Sequence, residues 1–176
     1  MERKKGKRNR ILILILSLIT LAAMCVTVWA LFFRDKNEGL TPDYAPQETE
    51  ANAEPIEGDD NTKLEQPEGG GAVSLTYSKD VTVSLSDKTA GLLFANPGKS
   101  NQDMVVQLII QDTVIVQSGT LKPGSQVTTL NLLDGAEKAL SEGTYEGKFN
   151  ILFYDPDTGE KAIVNTEIPV TVTVAK

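Results

Sequence analysis

Twenty-three consecutive residues, 11–33, carry no charge, no Gly and no Pro. As a helix this run (ILILILSLITLAAMCVTVWALFF) would span about 35 Å, enough to cross a bilayer with a little tilt. Fourteen of its residues are Ile, Leu, Val or Phe, so insertion outweighs the small cost of Ser17, Thr20 and Thr27. A transmembrane helix is therefore expected over 11–33. Arg3, Lys4, Lys5, Lys7, Arg8 and Arg10 precede it, whereas Arg34 and Lys36 behind it alternate with Asp35 and Glu38. The asymmetry predicts a basic cytoplasmic tail at 1–10 and everything after Phe33 on the outer side of the cell membrane, with the lipid bilayer as the first partner. Signal cleavage after Ala30 is the competing reading, since Val28 and Ala30 are small. The apolar run is much longer than the 7–15 residues of a signal core, which favours a retained signal-anchor. A lipoprotein site is disfavoured because Met24, rather than a small residue, precedes Cys25.

Charge is segmental along the chain. The net charge of −7 divides into +5 over residues 1–33, −8 over 34–72 and −4 over 73–176. Residues 73–176 contain no Arg, so nothing outside the tail suits a phosphate backbone and nucleic acid is not an expected partner. The chain has no His, which excludes imidazole acid–base catalysis, Ser-His and Cys-His nucleophile pairs and His-ligated zinc. Its single Cys, Cys25, lies inside the apolar run, leaving the rest without a disulfide or a thiolate metal site. No cofactor is expected.

Residues 34–72 hold eleven Asp or Glu, four Pro and Gly69-Gly70-Gly71, with Leu40, Tyr44, Ile56 and Leu64 as the large apolar residues. Such a composition buries too little apolar area to repay its ordering entropy, so a disordered acidic stalk is expected. Its carboxylates lack the spacing of a calcium loop.

From Val73 onward the sequence alternates. Val73, Leu75, Tyr77, Val81, Val83 and Leu85 share one parity and Ser74, Thr76, Thr82, Ser84 and Ser86 the other, which predicts a half-buried strand kinked near 78–80. Further strands are expected at 91–95, 104–111, 114–117, 126–132, 145–154 and 161–174. Asn96-Pro97-Gly98, Asp112-Thr113 and Lys122-Pro123-Gly124 supply turns between them. Asp134 is expected to cap a short helical turn running through Ala139 and Leu140.

Leu140-Ser141-Glu142-Gly143-Thr144-Tyr145 resembles the tyrosine corner of immunoglobulin-like domains, where the Tyr opening the sixth strand turns its hydroxyl onto upstream backbone. With the strand count and order, this implies an all-β fold, an immunoglobulin-like seven-stranded sandwich over 73–176, preceded by one transmembrane helix. The resemblance makes Tyr145 structural. Antibody-type core cysteines and core Trp are missing. The whole layout also looks like that of anchored envelope proteins of Gram-positive bacteria, though without a terminal LPxTG-type sorting motif.

Four local features have a structural and a functional reading. Residues 155–160, DPDTGE, space their acids like the start of a calcium loop, but Pro156 and Gly159 also suit a tight hairpin, which is the preferred reading. The last strand would turn Ala162, Val164, Ile168, Val170, Val172 and Val174 inward. Pro169 in it calls for an edge or a bulge. A Lys-to-Asn isopeptide between Lys79 or Lys88 and Asn165 lacks a visible buried acid. Tyr77, Tyr145, Phe149 and Phe153 share the inward parity and offer no sugar platform. No residue is assigned a catalytic, cofactor-binding or metal-binding role. The expected function is a noncatalytic extracytoplasmic binding or structural module with a protein partner in an envelope assembly. The alternative, a hydrolase or transferase using carboxylates, needs two acids facing each other about 5–10 Å apart.

Overall fold

The computed structural model describes Leu16, Ser17, Thr20, Leu21, Met24, Ala45, Pro46 and residues 48–176. The chain divides into two compact units, Met1–Lys36 and Asn37–Lys176. In the first, the five described residues are helical. The expected tail at 1–10, the remainder of the expected transmembrane helix and residues 34–44 lie outside the described residues. Among the described residues, no helix is long and apolar enough to cross a membrane.

The second unit is all-β. Its strands are β1 (Glu54–Pro55), β2 (Thr76–Tyr77), β3 (Asp80–Ser84), β4 (Thr89–Asn96), β5 (Asp103–Ile110), β6 (Thr113–Gln117), β7 (Ser125–Asn131), β8 (Gly143–Tyr154) and β9 (Thr166–Ala175), with a four-residue helix α1 (Ala136–Ala139) before β8. They form one sheet in the order β1-β7-β4-β3-β9-β8-β5-β6, and β2 adds to β4. β3 joins the β1-β7-β4 side of this sheet to the β9-β8-β5-β6 side. It runs antiparallel to β4, with Val83 opposite Ala90, and parallel to β9, with Val81 opposite Val172. At the far side Leu132, just past β7, bridges Val116 of β6.

The alternation expected over 73–86 places Val81 and Val83 in the core. The kink falls between β2 and β3, where the Ser78 N–H donates to the Leu93 carbonyl. The core between the two halves includes Phe94 and Phe149, packed edge to face with centroids 6.0 Å apart. Burying such rings, with the Val, Ile and Leu around them, drives the curling. The short helix does not start at Asp134: Gly135, with φ 86°, is its N-cap and no side chain caps it.

The last strand starts later than expected, at Thr166. Ala162 packs against the core, but Ile163 and Val164 are 103% and 69% exposed. The register explains this. Ile151 pairs with Thr166 and Tyr154 bridges Lys161, so residues 162–165 bulge out opposite only two residues of β8.

Residues 48–72, where coil was expected, instead lie along the sheet as a belt. Glu54 and Pro55 pair with Gln126 and Ser125 on the open side of β7. Backbone N–H groups of Glu50, Ile56 and Leu64 donate to the carbonyls of Thr120, Gly124 and Lys99 at 3.0, 3.0 and 2.9 Å. The Asp59 carboxylate accepts from the Gly98 N–H. The belt needs no core of its own, because the sheet supplies the backbone partners that satisfy its polar groups.

Candidate functional site

The outward face of β5, β8 and β9 combines a covered apolar end with an open depression. Side chains pointing away from the core form cross-strand rows there: Val105 with Leu152; Gln107 with Asn150 and Glu167; Ile109 with Lys148 and Pro169; and Glu146 with Thr171. An outward face of an antiparallel sheet is ordinarily polar and wet. Here Val105, Leu152 and Tyr154 are fully buried, with Ala45 packed on them. Next to them Asn150 Nδ2 donates to Gln107 Oε1 at 2.7 Å and Gln107 Nε2 to Gln117 Oε1 at 2.8 Å. This amide ladder satisfies buried polar atoms across three strands.

Further along the face lies an open depression of about 570 Å³. Ile109, Gly147 and Val170 supply its apolar part, and Lys79, Lys148, Glu146 and Asp112 surround it. One wall is the β5–β6 turn, in which Gln111 and Asp112 adopt φ of 49° and 61°. Two left-handed residues make the primed turn that matches strand twist, usually with Asn-Gly. Lys148 Nζ contacts Glu167 Oε1 at 2.9 Å in the open. The mixed charges around this depression fit contact with a polar surface.

The 155–160 hairpin is built from its first residue. Asp155 Oδ1 accepts from the Thr158 N–H at 2.8 Å, the Asp157 N–H at 2.9 Å and the Thr158 hydroxyl at 3.2 Å, and Gly159 takes φ 73°. Those N–H donors, Thr158 first, hold the Asp155 carboxyl below the usual carboxylate range. An oxygen committed to three donors in its own turn makes a poor calcium ligand. Asp103, opposite Tyr154 on β5, differs. Burial pushes its carboxyl up, Lys122 and Lys63 pull it back, and Asp155 adds to the rise. Neither Asp103 nor Asp155 lines the depression.

Tyr145 forms the expected corner: its hydroxyl donates to the Ser141 carbonyl at 2.9 Å and accepts from the Ser141 N–H at 3.3 Å. Pro169 sits where the second side of β9 is open, since the ladder with β3 begins at Thr171. From there to Val174, β9 is paired on both sides and is no edge. The residues of the considered isopeptide are not gathered. Lys88 Nζ pairs with Glu137 Oε1 at 3.0 Å, and Asn165 is exposed in the bulge. Lys79 adjoins Thr171, six residues along the strand from Asn165, or about 20 Å. Tyr77 and Tyr145 pack against the core that contains Phe149 and Phe153.

No protein-family model matches the chain, and no curated protein matches it. Among solved structures it is similar to the major subunit of the aggregative adherence fimbriae type I from Escherichia coli, at 10% identity and a TM-score of 0.31, over 64% of this chain and 100% of that one.

Proposed function

We propose that this protein is a membrane-anchored, extracytoplasmic, noncatalytic module of the cell envelope, with its N-terminus in the cytoplasm and a protein partner in an envelope assembly. The curled sheet is on this reading an immunoglobulin-like sandwich. Strands β2/β3, β4, β5, β6, β7, β8 and β9 follow the order of such domains, Tyr145 makes the corner, and the belt takes the place beside β7 that a fourth strand would fill.

The observation that carries the noncatalytic reading is how the acids are used. Asp155, Asp59 and Asp60 accept from nearby backbone N–H groups, Glu50 from Gly119 and Asn52, Asp87 from Ser84, and Glu137 and Glu167 hold lysines. Carboxylates committed to turns, belt and ion pairs support a scaffold and not an acid–base pair. The anchor reading draws on the charge-free run at 11–33 and its basic flank. Protease added to intact cells tests it. The domain should be removed and the N-terminal tail spared, and a protected domain would refute the proposed orientation.

A further inference from the structure

The return from β8 into β9 carries two residues more than the strand opposite, since 162–165 face only the two residues between Ile151 and Tyr154. Both ends of this bulge are held. The Ala162 N–H donates to the Phe153 carbonyl at 2.8 Å, and Thr166 opens the ladder opposite Ile151. Between these points Ile163 and Val164 are 103% and 69% exposed, the most exposed large apolar side chains of the described β unit. Among the described residues, neither of their N–H groups donates to another backbone group.

The large aliphatic residues in the other loops of the described β unit are placed differently. Leu75, Leu85, Leu132 and Leu140 belong to the core or pack against it. The N–H groups of Ile56, Leu64 and Leu133 donate to the carbonyls of Gly124, Lys99 and Ile115. Val73 is tethered on both sides, by the Ala72 carbonyl accepting from the Asn101 N–H and by the Ser74 N–H donating to Ser100 Oγ. An endopeptidase takes its substrate as an extended segment whose backbone pairs with the enzyme and whose side chains enter its pockets. At these other positions a cut must first break a bond of the fold or draw a side chain off the core. At Ile163 and Val164 it need do neither.

We propose that the bulge is a processing site. An endopeptidase with an aliphatic pocket for the residue after the cut hydrolyses the chain on the N-terminal side of Ile163 or Val164 while the β unit stays folded. Water supplies both new ends. Its hydroxyl goes to the carbonyl carbon of Ala162 or Ile163, the peptide C–N bond breaks, and the remaining proton goes to the freed nitrogen. β9 stays in place after the cut. Residues 166–174 remain paired with β8 and residues 171–175 with β3, and Ile168, Val170, Val172 and Val174 are buried. The product is a two-chain domain whose last strand is held without a covalent link. The site does not depend on whether residues 11–33 cross a membrane.

Thermolysin, an endopeptidase that cuts before aliphatic residues, tests this on the full chain in mild detergent, with the cuts mapped by mass spectrometry. The expected first cut within residues 73–176 falls before Ile163 or Val164. Its two pieces should elute together on size exclusion and part only in guanidinium chloride. Ile163→Ser with Val164→Ser, which removes no buried side chain, should abolish this cut. Ile115→Val trims the core in β6, with β5 and β8 between it and β9. It should leave the rate of the cut unchanged, because the bulge is already open in the folded state. A first cut elsewhere in 73–176, or a cut at the bulge that survives both Ser substitutions, would overturn the site. So would a rate that rises with Ile115→Val, since cutting would then pass through global unfolding. Release of β9 without denaturant would overturn the two-chain product.

Discussion

Glu50 and Gly119, 69 residues apart, are locked together: Glu50 Oε2 accepts from the Gly119 N–H at 2.7 Å. On either side, the Thr120 N–H donates to the Glu48 carbonyl and the Glu50 N–H to the Thr120 carbonyl, both at 3.0 Å. The belt can lie this close only because residue 119 has no side chain. A Cβ there would stand 2.8 Å from the Glu50 nitrogen and 2.9 Å from the Glu48 oxygen, closer than backbone atoms allow.

Gly119→Ala should therefore lift the belt and cost about 1–3 kcal/mol in a chain beginning at Ala45. In a chain beginning at Val73, which lacks the belt, the same substitution should be nearly neutral. Urea denaturation of the four proteins measures both numbers. Equal losses with and without residues 45–72 would show that Gly119 is needed for some other reason.

Tyr145→Phe removes a hydroxyl that bonds to both backbone groups of Ser141 in an exposed setting. Water can replace the lost partner there, so the expected loss is about 0.5–1.5 kcal/mol, the ordinary net worth of a hydrogen bond. Thermal unfolding of the β unit gives the value. An unchanged melting temperature would mean that the corner contributes no net stability.

Asp103 is the acid whose ionisation the fold resists, chiefly through burial. Its folded pKa lies above its unfolded one, so the folded state holds the proton more tightly. Ionisation then costs stability as pH rises from the ordinary carboxylate range through the raised value. Asp103→Asn should raise the melting temperature at neutral pH, and the gain should shrink below the ordinary carboxylate range. Asp155, Asp60 and Glu137 are shifted the other way and lose their contributions as pH falls. A gain from Asp103→Asn that persists unchanged in acid would exclude ionisation as its cause.

The strands and the corner were legible because they are local: alternation at 73–86, turn residues at 96–98 and 122–124, and Tyr145 behind Gly143 each act within a few positions. The belt was not legible from its own composition, since its hold on the sheet is made largely by backbone groups, which every residue carries. The segment that leads into it leaves a trace in the strands on which Ala45 packs. Residues 104–106 and 151–154 are unbroken apolar runs, which break the alternation expected of a sheet with one wet face and imply cover on both sides. Val105, Leu152 and Tyr154 are the residues that needed that cover. The bulge at 162–165 escaped for a different reason. Ala162, Val164 and Ile168 share a parity, and parity alone cannot show that 162–165 carries two more residues than the strand opposite.

Amide hydrogen exchange on the chain from Ala45 onward asks most directly whether the acidic segment is part of the domain. The amides of Glu50, Ile56 and Leu64 donate to Thr120, Gly124 and Lys99 and should exchange slowly, in the company of those in β5 and β8. Exchange of these three at the rate of an unstructured peptide, beside a protected sheet, would return residues 48–72 to a free stalk.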